Sequence, residues 1–101
     1  MTAHIKVTKA DGILTLVMYR PEKKNALTDA MYGVLADEIE GAQTDSATRV
    51  IVIRGEGDMF TAGNDLADFA AAKPGESPRN VGRFIRAIAQ TTKPLIAAVQ
   101  G

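Results

Sequence analysis

The sequence predicts an α/β fold, and three observations carry that expectation. Asp11-Gly12 sits between two short apolar runs, a strong hairpin signal. A segment from Thr28 to about Gly41 has apolar residues at helical spacing. Val50 to Ile53 is a continuous β-branched and apolar run, and a second helix-then-strand pattern follows it. The order is ββαβ, a short helix, then αβ, with no internal repeat.

The first two strands are marked by Ile5 and Val7 and by Ile13, Leu14, Leu16 and Met18. The second ends at Arg20-Pro21, because proline cannot donate to a ladder. A polar loop, Glu22-Lys23-Lys24-Asn25, leads to Thr28, a good N-cap, with Asp29 favourable in the first helical turn. Met31, Val34, Leu35, Ile39 and Ala42 form the apolar face of that helix. The Val50–Ile53 run suits a strand covered on both faces. Ala70 to Pro78 is a small, polar excursion, and Ser77-Pro78 reads as the N-cap and first residue of a second helix. Val81, Phe84, Ile85 and Ile88 give it an apolar face up to about Gln90. Lys93-Pro94 ends it, and Leu95 to Val99 is a fourth, buried strand running into a turn glycine, Gly101. A strand at that position leads us to expect a fragment of a larger domain, which would leave apolar surface exposed on this last strand.

Bulk properties narrow the chemistry. Twelve basic residues balance twelve acidic ones, which argues against broad electrostatic binding to nucleic acid or an anionic membrane. With no cysteine there is no disulfide, thiol nucleophile or thiolate metal site. Leu95 to Val99 is far too short to cross a bilayer. Met1 to Lys6 has no apolar stretch of signal-peptide length, so the expected location is the bacterial cytoplasm or an organelle matrix.

The informative stretch is Met59 to Phe69. Gly55-Glu56-Gly57 follows a strand, but a dinucleotide fingerprint needs a third glycine where Phe60 stands, and no P-loop lysine follows. Gly55 and Gly57 then read as loop positions needing positive φ. In Phe60-Thr61-Ala62-Gly63-Asn64-Asp65-Leu66, Gly63 permits a tight turn and a close approach, and Ala62 keeps the surface low. Asp65 suits the cap of a short helix. Such a turn can expose a backbone N–H aimed at a ligand oxygen, the local chemistry of an oxyanion hole. The same residues also serve an ordinary glycine turn with an Asp cap.

Four segments in order, Arg20-Pro-Glu-Lys-Lys-Asn-Ala-Leu27, the Val50–Ile53 strand running into Gly55, the Phe60–Leu66 turn, and Lys93-Pro-Leu-Ile-Ala-Ala-Val-Gln-Gly101, resemble the enoyl-CoA hydratase/isomerase (crotonase) superfamily. The resemblance implies the N-terminal portion of a crotonase-type ββα spiral, binding an acyl-CoA thioester. It implies that Asn64 supplies one of two backbone N–H donors to the thioester oxyanion, through its amide rather than its side chain. It implies that Lys23, Lys24 and Ala26 lie along the CoA moiety, and that groups near Ala62, Gly63, Asp65 and Leu66 help hold its adenine and pantetheine parts. The second donor and the acid/base pair would follow Gly101. The 101 residues alone would then be inactive, or a non-catalytic piece that binds CoA compounds or pairs with itself.

The implied reaction is hydration of a 2-enoyl-CoA first. Double-bond isomerisation is the alternative, since Asn64 stands where many hydratase-like members have alanine and Gly-Asn-Asp-Leu looks like some isomerases. No metal and no separate cofactor are expected, CoA being part of the substrate. The intact member would be a homo-oligomer, a trimer or a hexamer. Arg79, Arg83 and Arg86 share a helical face, read as solvated. His4, the only histidine, has no catalytic context.

Overall fold

The computed structural model describes residues 4–65 and 79–99. Strands β1 (Ile5–Ala10) and β2 (Ile13–Met18) pair antiparallel, in register from Ile5 opposite Met18 to Ala10 opposite Ile13. Asp11 and Gly12 turn between them with φ of 55° and 80°. Two consecutive positive φ values give the turn whose twist matches that of the strands.

A single 3-10 turn, Pro21–Lys23, follows β2. Helix α1 (Asp29–Ala42) then crosses over to β3 (Val50–Gly55), which runs parallel to β2. Helix α2 (Arg79–Gln90) precedes β4 (Leu95–Ala98), parallel to β3. The sheet order is β1-β2-β3-β4. No helix of the described residues is long and apolar enough to cross a membrane.

Helix α1 begins as its sequence predicts. Thr28 has extended backbone, and its Oγ1 accepts the Met31 N–H at 3.1 Å. Met31 Sδ in turn accepts the Thr28 N–H at 3.5 Å, so a thioether stands where a capping box usually has a carboxylate. The core joins Met31, Leu35, Ile39 and Ala42 of α1 to Ile5, Leu14, Leu16, Met18, Ile51 and Ile53 of the sheet. Tyr32 and Leu27 complete it at the end that faces the site.

Two expectations about burial are corrected, for β3 and for α2, and the expected exposure of apolar surface on the last strand is seen at Ile96 and Val99. Among the described residues strand β3 is covered on one face only. Ile51 and Ile53 point into the core, Val50 and Val52 are half-buried on the other side, and Arg54 is exposed. Among the described residues both helices belong to the core face, so the β-branched run is buried by alternation. Among the described residues strand β4 is an edge strand. Leu95 is half-buried and packs on the core, while Ile96 is 52% exposed. On α2, Val81 and Phe84 pack on the core and Ala87 is buried, but Ile85 and Ile88 are 59% and 36% exposed. Residues 81, 84 and 87 form one narrow stripe against α1, and 85 and 88 fall on the next stripe round the helix.

The arginines of α2 divide. The Arg83 guanidinium bridges to α1, 2.6 Å from Asp37 Oδ1 and 3.0 Å from Glu40 Oε1. Its pKa is raised, first by the hydrogen bond to Asp37. Arg86 is exposed, and the Arg79 side chain lies outside the described residues, as does the Ser77-Pro78 cap.

Gly57 does have positive φ, at 90°, but Gly55 is a glycine for another reason. A Cβ there would lie 2.3 Å from Phe60 O, 2.5 Å from Met59 O and 2.7 Å from Phe60 Cα. The chain folds back over the end of β3 so closely that only hydrogen fits. Because every clashing atom is backbone, Gly55→Ala is expected to destabilise the fold by about 3 kcal/mol. A urea-unfolding midpoint within error of the parent protein's would refute that account of the close approach.

Candidate active site

Two loops meet at the C-terminal ends of β2 and β3. The first runs from Arg20 to Thr28 and the second from Glu56 to Asp65. What joins them is mainly Asn25, which is 1% exposed and has φ of 60°. Its Oδ1 accepts the Arg20 N–H at 2.8 Å. Its Nδ2 donates to the carbonyls of Glu56 at 3.0 Å and Met59 at 2.8 Å. Its own carbonyl accepts the Thr61 hydroxyl at 2.6 Å. Lys24 just before it is also left-handed, with φ of 52°. Two such residues in succession reverse the chain tightly, and asparagine tolerates this conformation better than most side chains.

Beyond Asn25 the loops run side by side. The Ala62 N–H donates to Lys24 O at 3.0 Å, the Leu27 N–H to Gly63 O at 2.7 Å, and the Asp65 N–H to Leu27 O at 2.8 Å. This is a one-residue parallel bridge between Leu27 and Asn64. Gly63, at φ 94°, allows the turn into it, and its N–H is taken by Thr61 Oγ1 at 3.1 Å. In a bridge of this kind the residues flanking position 64 bond towards the partner, and residue 64 directs its own N–H the other way. Among the described residues nothing accepts a hydrogen bond from the Asn64 N–H.

The side chains around it are engaged. Asp65 Oδ2 accepts from Arg20 Nη1 at 2.6 Å, with the two side chains only 12% and 15% exposed. Arg20 Nη1 also donates to Ala26 O at 3.1 Å. Asp65 thereby locks the two loops together; the residues of the short helix it is expected to cap lie outside the described residues, as does Leu66. The Tyr32 hydroxyl donates to Asn64 Oδ1. Burial raises the Tyr32 pKa above its ordinary value.

The sequence-predicted residues sort clearly. The structure brings Ala26, Ala62, Gly63, Asn64 and Asp65 together at the junction of the loops. Lys23 and Lys24 stand exposed on its rim, and neither makes an ion pair among the described residues. His4 is exposed just before β1, where its carbonyl accepts the Tyr19 N–H at 2.8 Å. An open cleft of about 450 Å³, lined by Pro21, Lys24, Asn25, Glu56, Gly57, Asp58 and Met59, opens beside the rim. Sequence reasoning missed Arg20, Asn25 and Tyr32. None of the three carries a local signal, because each acts through a partner more than thirty residues away. No group of histidine, cysteine and carboxylate side chains able to hold a metal occurs among the described residues.

The profile of the enoyl-CoA hydratase/isomerase family matches residues 8–101. The chain belongs to that family. As a member of the enoyl-CoA hydratase/isomerase family it has relatives with differing reactions. It is 38% identical to enoyl-CoA delta isomerase 2 of Rattus norvegicus over 96% of this chain, and 36% identical to 2,3-dehydroadipyl-CoA hydratase of Escherichia coli over 94%. It spans 26% and 38% of the lengths of those two proteins. Among solved structures, OdaA of Pseudomonas aeruginosa superposes with a TM-score of 0.88 at 45% identity, covering 99% of this chain and 40% of that one. An enoyl-CoA hydratase of Mycobacterium avium gives 0.84 at 32% identity, covering all of this chain and 38% of that one. This family member thus has the crotonase-type α/β fold.

The junction makes Asn25 a sensitive position. Asn25→Ala strands the Arg20 N–H and the Glu56 and Met59 carbonyls in a buried place, so we expect a loss of about 3–5 kcal/mol. Asn25→Asp should do no better, since it would turn a carboxylate oxygen towards two carbonyls. An Asp variant with a parent-like melting curve would show that these bonds do not hold the loops.

Proposed function

We propose that the enzyme containing this chain binds acyl-CoA thioesters and stabilises negative charge on the thioester oxygen with the Asn64 N–H. The observation that supports this is the bridge to Leu27, which spends the bonds of Gly63 and Asp65 and leaves the Asn64 amide facing outward. A rigid donor already aimed at the forming oxyanion needs no reorganisation as charge develops. The reaction is proton transfer beside the carbonyl. In hydration, water adds its oxygen to C3 of a 2-enoyl-CoA and a proton to C2, with the electron pair held on the thioester oxygen between the two steps.

A second reading is isomerisation, in which a proton leaves C2 of a 3-enoyl-CoA and another arrives at C4. It is favoured by Asn64 itself and by the likeness to a protein named as a delta isomerase. The two give opposite spectral changes. Hydration of crotonyl-CoA removes the conjugated enoyl absorbance, and isomerisation of a 3-enoyl-CoA creates it.

Asn64→Pro removes the donor and should lower kcat by about a hundredfold or more. Asn64→Ala keeps the amide and loses one neutral side-chain hydrogen bond, so its loss should stay within about tenfold. If both variants fold and the alanine form is as inactive as the proline form, the side chain carries the function and the assignment to the amide is wrong.

Lys23 and Lys24 are proposed to lie near the CoA phosphates, where two exposed cations act as point charges. Replacing both by glutamine should raise KM for an acyl-CoA, and less so at high salt because exposed charges are screened. KM for the matching pantetheine thioester, which lacks the nucleotide, should hardly move. Equal effects on both substrates would take these lysines away from the nucleotide end.

A further inference from the structure

Asn64 is exposed at its bridge position and directly follows Gly63, whose φ is 94°. The bridge holds the peptides on both sides of Asn64, through the Leu27 N–H to Gly63 O at 2.7 Å and the Asp65 N–H to Leu27 O at 2.8 Å, and so sets the outward direction of the N–H. Neither bond is made by the Asn64 N–H itself, so its fine tilt is open to a further attachment through the side chain, and one is present. The Tyr32 hydroxyl donates to Asn64 Oδ1 across 32 residues of sequence.

Tyr32 is well suited to be a fixed reference. Its side chain is buried, on a helix whose first turn is capped by Thr28. Its ring packs against Phe84 of α2 with centroids 5.3 Å apart and planes at 52°. Burial raises its pKa above the ordinary tyrosine value, so the hydroxyl remains a donor across the neutral range. The arrangement runs from the packed core, through one hydroxyl and one side-chain amide, to the backbone group at the surface.

We propose that Tyr32 is a positioning residue, fixing the tilt of the Asn64 N–H through the Asn64 side chain. This rests on the reading that the Asn64 N–H faces the thioester oxygen. It gives asparagine at position 64 a purpose that a small residue there would lack: its side chain is a handle on its own backbone.

The test is 15N relaxation of the intact protein, together with the 13C carbonyl shift of bound butyryl-CoA labelled at the thioester carbon. The variants are Tyr32→Phe, Asn64→Ala and the double substitution. Phenylalanine keeps the ring on Phe84, so the remaining amide resonances report an intact fold. In the parent protein the residue-64 amide should have an order parameter near 0.85, and in Tyr32→Phe it should fall towards 0.6. Asn64→Ala should show the same fall, and adding Tyr32→Phe to it should change nothing further. The downfield carbonyl shift should shrink in step. An unchanged order parameter in Tyr32→Phe, or an equal further fall in the alanine background, overturns the positioning role. Should Tyr32→Phe fail to fold, Asn64→Ala removes the same bond from its other end, and a parent-like order parameter there overturns the role equally. A parent protein that leaves the carbonyl shift of bound thioester unmoved refutes the oxyanion reading instead, whatever the order parameters show.

Discussion

The site depends first on one buried amide. Asn25 is surrounded by backbone groups that cannot pair with each other, two carbonyls on one side and an N–H on another. A side chain with both a donor and an acceptor end answers all three, and no hydrophobic residue of similar volume could. The loops it joins come from the ends of different strands and share no ladder long enough to align them. Once Asn25 is seated, the parallel bridge from Leu27 to Asn64 follows in register, and the outward direction of the Asn64 amide follows from that bridge. A buried polar residue is here a device for alignment, and its value lies in the register more than in the energy of each bond.

The Arg20–Asp65 pair acts on the same junction from outside. Two charges that are mostly withdrawn from water give up hydration, and the attraction between them does not by itself guarantee a gain. Their bonds show where the return lies. Arg20 Nη1 reaches both Asp65 and the Ala26 carbonyl, so a single planar group spans the two loops. Exposed pairs elsewhere, such as Lys9 with Asp45 at 3.7 Å, bridge nothing comparable and contribute little.

Much of this was legible in the chain. The Asp11-Gly12 hairpin, the Thr28 cap and the spacing of Met31, Leu35 and Ile39 are local signals, and local signals survive tertiary folding. The tight turn at Gly63 was legible from the glycine itself, which has φ of 94°. Burial that depends on neighbours was harder to read. Val50 to Ile53 looks the same whether a strand is covered on one side or two, and Ile85 looks as apolar as Phe84 although α1 reaches only one of them. Gly55 was read as a conformational glycine, because the sequence does not reveal that residues 59 and 60 return over it. Asn25, Arg20 and Tyr32 were missed for a shared reason. Each acts through a partner more than thirty residues away, and nothing adjacent in the sequence distinguishes them from ordinary loop and helix residues.

The start of α2 has a consequence for how the chain acquires its structure. The Asn80 N–H donates to Asp29 Oδ1 at 3.0 Å, and Asn80 Nδ2 donates to Asp29 Oδ2 at 3.0 Å and to its carbonyl at 3.2 Å. Gly33 leaves room for this, since a Cβ there would come within 2.8 Å of Asn80 Nδ2. A first-turn donor of one helix is thus satisfied by the first residue of another, 51 positions earlier. Helix α1 can form from its own caps, but the first turn of α2 gains these partners only when α1 is already in place. The chain between them, strand β3 included, must close before these bonds repay it, which makes them long-range contacts that cost loop-closure entropy.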